Sequence, residues 1–399
     1  MLLGLVGKPS CGKSTFFKAA TLAEVDIASY AFTTIKPNHG IGYVKIDCID
    51  TEFGVQCMPK HGFCLQHKRF VPVELMDVAG LVPGASEGKG LGNQFLDDLR
   101  KADVFMHIVD ASGKSDNEGK PLPEGEKHDP VLDINFLEEE LNKWFYNILM
   151  KVWRSFARKT EMEGQNFAQA ITTQFSGLKV SEDQVKEVLL DLGLPEKQTS
   201  WTDEQVMEFA TALRKKSKPM IVAANKIDLP GAYENYKNIK EQFPDLMVVP
   251  CSADAELALR EASKHELIDY IPGEKDFTIK DSEKLNENQK KALEKIKTNV
   301  LQKFEFGTGV QQVLNKAVFD FLKYIAVFPA SANKLQDSDG NILPDCFLMP
   351  PESTALDFAY YLHTDFGKNF VRAIDARTNR ALGKDYKLKQ GDAMEIISA

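Results

Sequence analysis

The chain has 399 residues, 43% of them hydrophobic, and its 49 basic and 58 acidic residues give a net charge of −9. This length allows two or three domains, and the acidic balance excludes a uniformly basic surface, so any RNA contact needs a local patch. No run approaches the ~20 apolar residues of a membrane span, so no membrane partner is expected, and residues 1–6 read as a strand rather than a signal peptide. Six cysteines without a dense framework indicate a reducing, cytoplasmic setting.

Short apolar runs bounded by Gly, Pro or Asp predict six strands, at residues 2–6, 41–46, 70–76, 104–109, 220–224 and 246–249. Strands that alternate with helices indicate a mostly parallel sheet covered on both faces, so the predicted fold class is α/β. Residues 113–130 are polar and rich in Gly and Pro, which is typical of a loop. Helical spacing over 133–163, 181–190 and 203–215 predicts a helical insertion, in which Ser181 caps the second helix and the aromatic residues are packing groups.

The last third of the chain changes character twice. Residues 276–323 are strongly charged and predict helices, whose lysines form either a solvated face or an RNA-facing surface. From residue 324 a strand, strand, helix, strand, strand order predicts a small β-grasp domain. The predicted domains are therefore a first domain of residues 1–125 and 217–275, a coiled-coil-like insertion at 126–216, a helical segment at 276–323 and the β-grasp domain at 324–399.

The loop at residues 7–14, GKPSCGKS, matches the phosphate-binding pattern G-x-x-x-x-G-K-[ST] without a mismatch. Glycines let the backbone curl so that its N–H groups point at phosphate oxygens, and the dipole of the following helix points at the same place. Lys13 is expected to reach the β- and γ-phosphates, and the Ser14 hydroxyl to ligate Mg²⁺. The loop predicts a P-loop NTPase, with Gly7, Lys8, Pro9, Ser10, Cys11, Gly12, Lys13, Ser14 and Thr15 touching the nucleotide.

Two further motifs follow predicted strands. Asp77-Val78-Ala79-Gly80 places a carboxylate where it can hold Mg²⁺ through water and a glycine N–H where it can meet the γ-phosphate. Asn225-Lys226-Ile227-Asp228 predicts guanine, because the Asp228 carboxylate can accept hydrogen bonds from N1–H and the 2-amino group, which adenine does not offer. Lys226 is expected to pack across the base.

The stretch Cys251-Ser252-Ala253 follows the last predicted strand, and a backbone N–H from Ser252 or Ala253 is expected to meet the guanine 6-oxo group.

Cys57, His61, Cys64 and His67 lie within eleven residues and have two interpretations. They form either a zinc site or an irregular loop with unrelated thiols and imidazoles. Their spacing matches none of the usual Cys-x2-Cys patterns, which favours the loop.

Four motifs in this order resemble the translation-factor-type GTPases. The flanking segments "YAFTTIKPNHG" at 30–40 and "DVAGLVPGASEGKGLGNQFLDDLRKAD" at 77–103 resemble the Obg superfamily, in particular the archaeal and fungal branch of the YchF-related proteins. The segment "PPESTALDFAYYLHTDFGKNFVRAID" at 350–375 resembles a TGS domain. The resemblance covers nearly the whole chain and implies a Ras-like G domain with a helical insertion and a C-terminal TGS domain.

The resemblance also implies roles for residues. Thr34 is expected to complete the Mg²⁺ shell and, with Lys13 and Gly80, to act in catalysis. Leu81 stands where Ras-like GTPases have the glutamine that positions water, so slow turnover is expected. Ser10 stands where related potassium-stimulated GTPases have asparagine, so potassium dependence is not supported.

Two functions from different classes remain open at this stage. The first is a slow, Mg²⁺-dependent GTPase switch that binds GTP and GDP and acts at the ribosome or on RNA through the TGS domain and the insertion. The second is a nucleotide-gated ribosome- or RNA-binding scaffold in which hydrolysis is incidental. Many YchF proteins have an altered base-reading motif and prefer ATP, so an ATPase is the alternative enzyme, but the intact Asn-Lys-x-Asp motif favours GTP.

Overall fold

A computed structural model describes residues 1–22, 38–78, 100–331, 335–337 and 339–399. The chain divides into two compact units. The first contains residues 1–19, 38–40 and the described residues between 74 and 313. The second contains residues 20–22, 41–73 and the described residues from 314 to 399. No helix within these described ranges has the length and apolar character needed to cross a membrane.

The large sheet has seven strands in the order β2-β4-β1-β5-β6-β7, with β3 paired to β4. The strands are β1 (Leu2–Val6), β2 (His39–Asp47), β3 (Phe63–Leu65), β4 (Lys68–Asp77), β5 (Val104–Asp110), β6 (Met220–Asn225) and β7 (Met247–Pro250). The path β4-β1-β5-β6-β7 is parallel throughout, so the carboxyl ends of these strands share one edge. Strands β1, β5 and β6 are buried along their whole length, as expected of a parallel sheet covered on both faces. All six predicted strands are present, and the short β3 is an addition.

Ten helices with described bounds begin or lie in the first unit. They are α1 (Lys13–Thr21), α2 (Pro130–Met150), α3 (Trp153–Met162), α4 (Phe167–Gln174), α5 (Glu182–Leu192), α6 (Asp203–Ser217), α7 (Ala232–Gln242), α8 (Ala253–Lys264), α9 (Glu287–Ile296) and α10 (Val310–Asn315). The helix predicted over 133–163 is two helices, since α2 ends before α3 begins. Ser181 caps α5 as predicted, and its reciprocal hydrogen bonds with Gln184 form a capping box.

Aromatic side chains hold the helical insertion together. Trp153 lies 5.3 Å from Trp201 between ring centroids, and Phe156, Phe167 and Phe209 surround the pair at 5.3–6.4 Å. All five are buried. The interpretation of the insertion's aromatic residues as packing groups fits this arrangement.

The segment predicted as helical over 276–323 begins differently. Its start contains the short strand β9 (Phe277–Ile279), which pairs antiparallel with β8 (Ile268–Tyr270) just before the segment. Buried Phe277 lies opposite Tyr270 in this pair. Helix begins only at α9, where Asn286 caps the first turn. The helical prediction was therefore wrong for its first ten residues and for the turns at 302–309, and right for 287–301 and 310–321.

In the second unit a five-stranded sheet has the order β11-β10-β14-β12-β13. Its strands are β10 (Ile325–Pro329), β11 (Phe347–Met349), β12 (Phe370–Asp375), β13 (Ala381–Leu382) and β14 (Ala393–Ser398), and its helices are α11 (Ala355–Leu362) and α12 (Thr364–Lys368). The first and last strands, β10 and β14, run parallel beside each other, and Phe358 of α11 is fully buried against the sheet. This is the predicted β-grasp arrangement.

Candidate functional site

The predicted phosphate loop joins β1 to α1 at the carboxyl edge of the parallel sheet. Its backbone can take this course only because two positions lack side chains. A Cβ on Gly7 would lie 2.5 Å from the carbonyl oxygen of Ile108, and one on Gly12 would lie 2.2 Å from Asn225 Nδ2. Gly12 also has φ +93°, a conformation that other residues rarely adopt. The two glycines of the motif are thus required by the close approach of neighbouring strands.

Asn225 ties three predicted nucleotide segments together. Its Nδ2 donates a hydrogen bond to the Cys11 carbonyl at 2.9 Å, and its Oδ1 accepts one from the Ala253 N–H at 3.0 Å. The asparagine is 2% exposed, so both bonds are shielded from water. One buried amide therefore fixes the first loop against the stretch that follows β7.

Lys226 spans the base end of the site. Its Nζ donates to the Ser10 carbonyl at 2.8 Å and pairs with Asp110 Oδ2 at 2.7 Å. Asp110 is fully buried and also accepts from the Ser112 and Ser115 hydroxyls at 2.5 and 2.9 Å. Burial would raise the pKa of the Asp110 carboxyl, but these hydrogen bonds, that from Lys226 first, hold it below its usual value. The Asp110 carboxylate therefore fixes the Lys226 ammonium beside the first loop.

Asp228 has the environment expected of a base-reading carboxylate. It is exposed, and its Oδ1 accepts a hydrogen bond from the Ser252 hydroxyl at 2.7 Å. Its Oδ2 has no hydrogen-bond partner among the residues that the structure describes. Ser252 is buried, and its backbone N–H donates a hydrogen bond to the Thr308 carbonyl at 2.8 Å. This bond fixes the position of Ser252. The hydrogen bond from Ser252 to Oδ1 orients the carboxylate, and Oδ2 is left to accept a hydrogen bond from a ligand.

The phosphate end brings together Lys13, Ser14 and Asp77. Lys13 Nζ lies 2.9 Å from Asp77 Oδ1, and the Ser14 hydroxyl lies 3.4 Å from Asp77 Oδ2. A hydroxyl and a carboxylate side by side are hard oxygen donors, the type that Mg²⁺ prefers. The donor set thus fits the predicted metal, while Thr34 and Gly80 lie outside the described residues.

The remaining loop residues differ in what their side chains do. Lys8 Nζ is buried, 2.9 Å from Asp133 Oδ2 and 3.0 Å from the Ser115 carbonyl, so only its backbone is left for a phosphate. Burial raises the pKa of the Cys11 thiol to about 11, which keeps it neutral. Pro9 and Ser10 lie at the surface of the loop, and Thr15 lies in the first turn of α1.

His107 is buried in β5. Burial, followed by the charge of Lys8, lowers its pKa to about 3. The imidazole is therefore neutral at physiological pH.

Sequence reasoning missed a buried polar network behind the base end. Glu256 accepts hydrogen bonds from Arg260 Nε and Tyr270 OH, both at 2.7 Å, and from Thr308 Oγ1 at 2.5 Å. The backbone carbonyl of Thr308 in turn accepts a hydrogen bond from the Ser252 N–H. The spacing of Glu256 and Arg260, four residues apart on α8, was a signal for one of these contacts, but Tyr270 and Thr308 come from distant segments.

Three family models match successive parts of the chain. The model described as a 50S ribosome-binding GTPase matches residues 2–143, and the model described as "Obg-like GTPase YGR210-like, G4 motif-containing domain" matches residues 223–331. The TGS domain model matches residues 338–398. The matches follow the order in which the motifs occur.

Whole-length relatives agree with these matches. A GTP-binding protein of Methanocaldococcus jannaschii is 48% identical, over 100% of this chain and 99% of its own length. The ribosome-binding ATPase YchF of Buchnera aphidicola is 25% identical, over 99% of this chain and 98% of its own length. The crystal structure of a GTP-binding protein from Pyrococcus horikoshii is 39% identical and superposes with a TM-score of 0.77, covering all of both chains.

Proposed function

This chain belongs to the YchF-related Obg-like GTPases, a family of GTP-binding proteins, and from that premise we propose that it hydrolyses GTP slowly to GDP and phosphate as a Mg²⁺-dependent switch. The observation that carries the proposal is Asp228, an exposed carboxylate with one oxygen held by Ser252 and the other without a partner among described residues. That oxygen can accept from guanine N1–H while Oδ1 accepts from the 2-amino group.

Adenine is the less favourable base for this arrangement. Its N1 is an acceptor, so it would face the lone pairs of Asp228, and a desolvated carboxylate without a donor costs free energy. A site built to hydrogen-bond one ligand rejects an analogue that lacks the donor by roughly 10⁴. GTP is therefore the proposed substrate, although the name of the bacterial relative refers to an ATPase.

Lys13 and the N–H groups of the first loop are proposed to bind the phosphates. In the present structure the Lys13 ammonium is paired with Asp77 at 2.9 Å, so nucleotide binding exchanges this pair for phosphate contacts. Ser14 and Asp77 are the described residues that would hold Mg²⁺, which when bound neutralises the charge that develops on the phosphate oxygens. The fixed position of Lys13 on the first turn of α1 stabilises the same charge.

Hydrolysis is expected to be slow. The residue after the Asp77-Val78-Ala79-Gly80 motif is Leu81, whose side chain can neither donate nor accept a hydrogen bond to the attacking water. Lys13, Mg²⁺ and the N–H groups of the first loop would still position the phosphates and stabilise their charge. Intrinsic turnover is therefore expected on the order of 10⁻³ s⁻¹ or below until a partner completes the site.

The TGS module is the proposed contact with the ribosome. Three aromatic side chains on its helices are exposed, Tyr360, Tyr361 and Phe366, and Lys368 and Arg372 are exposed near them in the chain. Exposed aromatic rings with basic neighbours can stack on unpaired bases while the cations meet phosphates. The bacterial relative is named a ribosome-binding ATPase, which supports a ribosomal partner.

Two assays test the proposal, phosphate release and co-sedimentation with ribosomal subunits. Lys13→Ala should abolish phosphate release from GTP, whereas Lys264→Ala, which removes an exposed lysine on α8, should release phosphate at the wild-type rate. In co-sedimentation with ribosomal subunits, the wild-type chain should bind to different extents with GTP and with GDP. Equal binding with GTP, with GDP and without nucleotide would contradict the switch and favour the scaffold. Phosphate release from ATP but not from GTP would identify the chain as an ATPase.

A further inference from the structure

In the second unit the chain folds three cysteines and a carboxylate onto one another. Cys48 directly follows β2, Asp50 lies in the short 3-10 helix Ile49–Phe53, and Cys57 and Cys64 come from the next loop and from β3. Their ligand atoms all lie within 4.8 Å of one another. Of the four residues singled out by their spacing, only Cys57 and Cys64 belong to this group, and Cys48 and Asp50 take the places expected for His61 and His67.

The spacing of these atoms fits a tetrahedral metal ion. The sulfurs of Cys48 and Cys57 are 3.5 Å apart, and Cys64 Sγ lies 4.0 Å from Asp50 Oδ2. Zinc–sulfur bonds of about 2.3 Å in a tetrahedron separate neighbouring ligands by about 3.8 Å. The two observed separations lie on either side of that value.

A disulfide explains the group less well. A bond between Cys48 and Cys57 would require sulfurs about 2.05 Å apart, and it would leave the third thiol and the carboxylate without a role. Asp50 is fully buried, which is costly for a charged group unless a cation or several donors face it. It accepts from the Cys57 N–H at 3.1 Å and lies 3.0 Å from His67 Nδ1. A metal ion would supply the cation that the sulfur side of Asp50 lacks.

A second, independent feature is a buried arginine beside the group. Arg69 is fully buried, donates to the carbonyls of Leu343 and Pro344 at 3.0 and 2.8 Å, and faces the Cys57 sulfur. Within the described ranges no carboxylate lies at ion-pair distance from its guanidinium. A buried cation normally has an anionic partner. Thiolates held around a divalent metal would give Arg69 that partner.

We propose that Cys48, Cys57, Cys64 and Asp50 bind one structural zinc ion. Thiolate ligands favour zinc over magnesium or calcium, and a set of four protein ligands leaves no open position for substrate, as in structural sites. The ion would fasten the 48–57 turn to β3. His67, half-exposed and bonded to Asp50, orients that ligand from outside, as hydrogen-bond partners of metal ligands do.

The first experiment measures metal in the full-length chain. Protein produced with zinc in the medium and dialysed against metal-free buffer should contain about one zinc per chain by elemental analysis. A Cys57→Ser/Cys64→Ser double variant should contain almost none, while Cys251→Ala, which removes a buried cysteine outside the group, should keep the wild-type content. Substitution with cobalt should give the intense visible absorption of tetrahedral cobalt thiolates. A zinc-free wild-type chain that neither takes up zinc nor gives the cobalt spectrum would overturn the proposal.

Three further measurements do not depend on variants of the buried cysteines. Titrating the wild-type thiols with a mercurial should release zinc in step with sulfur modification, and the unfolded, zinc-free chain should show all six cysteines as free thiols. Fewer free thiols would mean a disulfide and would overturn the proposal. His67→Phe, at a half-exposed position, should weaken zinc about 10- to 100-fold in competition with a chelator. Unchanged affinity would remove His67 from the site, and none of these readouts depends on nucleotide binding.

Discussion

Replacing Asn225 by alanine removes a buried side chain that joins the first loop to the stretch after β7. The variant loses the hydrogen bond to the Cys11 carbonyl at 2.9 Å and that from the Ala253 N–H at 3.0 Å. Both backbone groups lie in the buried site, and alanine gives them no new partner. We therefore expect Asn225→Ala to destabilise the protein without any nucleotide present.

The magnitude follows from the two groups left without partners. A buried donor or acceptor deprived of its hydrogen bond costs about 1–3 kcal/mol, so the pair should lower the free energy of unfolding by roughly 2–6 kcal/mol. GTP affinity should also fall tenfold or more, because the loop of residues 7–14 is no longer held in place before the ligand binds.

Urea unfolding followed by circular dichroism measures the first quantity, and titration calorimetry with GTP measures the second. Asn147→Ala is the matched control, because Asn147 is exposed on α2 and should change stability by no more than about 0.5 kcal/mol. An Asn225→Ala protein that unfolds at the wild-type urea concentration and binds GTP with wild-type affinity would refute the reasoning.

Three other predictions concern single side chains. Asp228→Asn should weaken GTP binding at least 100-fold and favour xanthosine triphosphate, whose 2-oxo group can accept a hydrogen bond from the asparagine amide. Unchanged GTP affinity in calorimetry would contradict the role of Asp228 and its partner Ser252. Lys226→Met should lower the free energy of unfolding at pH 7 by about 3–5 kcal/mol in urea titrations, because it leaves buried Asp110 without its cation. A loss below about 1 kcal/mol would contradict the importance of this ion pair. Burial lowers the pKa of Lys218 to about 8, so the unfolded chain binds more protons than the folded one between pH 8 and about 10.5. Stability should therefore rise with pH in this window by up to about 3 kcal/mol more in the wild type than in Lys218→Met, and parallel pH profiles would show that the lysine is not perturbed.

The local parts of the site could be predicted from the sequence. A phosphate loop is a continuous motif whose glycines, lysine and serine act through their own backbone turn, and the structure places it between β1 and α1 as expected. The strands were predictable because buried parallel strands read as apolar runs. The hydrogen bond between Ser252 and Asp228 was not predicted, although both residues lie just beyond neighbouring parallel strands.

The parts that failed depend on contacts between distant segments. Asp110 is an ordinary strand-end aspartate in the sequence, and only the fold shows that Lys226, 116 residues later, pairs with it. Cys48 lies nine residues before Cys57 in the sequence, and only the folded turn between them brings their sulfurs together. The sequence alone therefore did not place Cys48 in this group. Phe277 was read as helical because its pairing with Tyr270 is set by tertiary packing rather than by local propensity.

Calorimetric titration of the wild-type chain with GTP, GDP and ATP at one fixed Mg²⁺ concentration measures which base the site binds. We expect GTP and GDP to bind at least 100-fold more tightly than ATP, because guanine, unlike adenine, donates to both oxygens of Asp228. Binding of ATP as tight as that of GTP, or tighter, would contradict it.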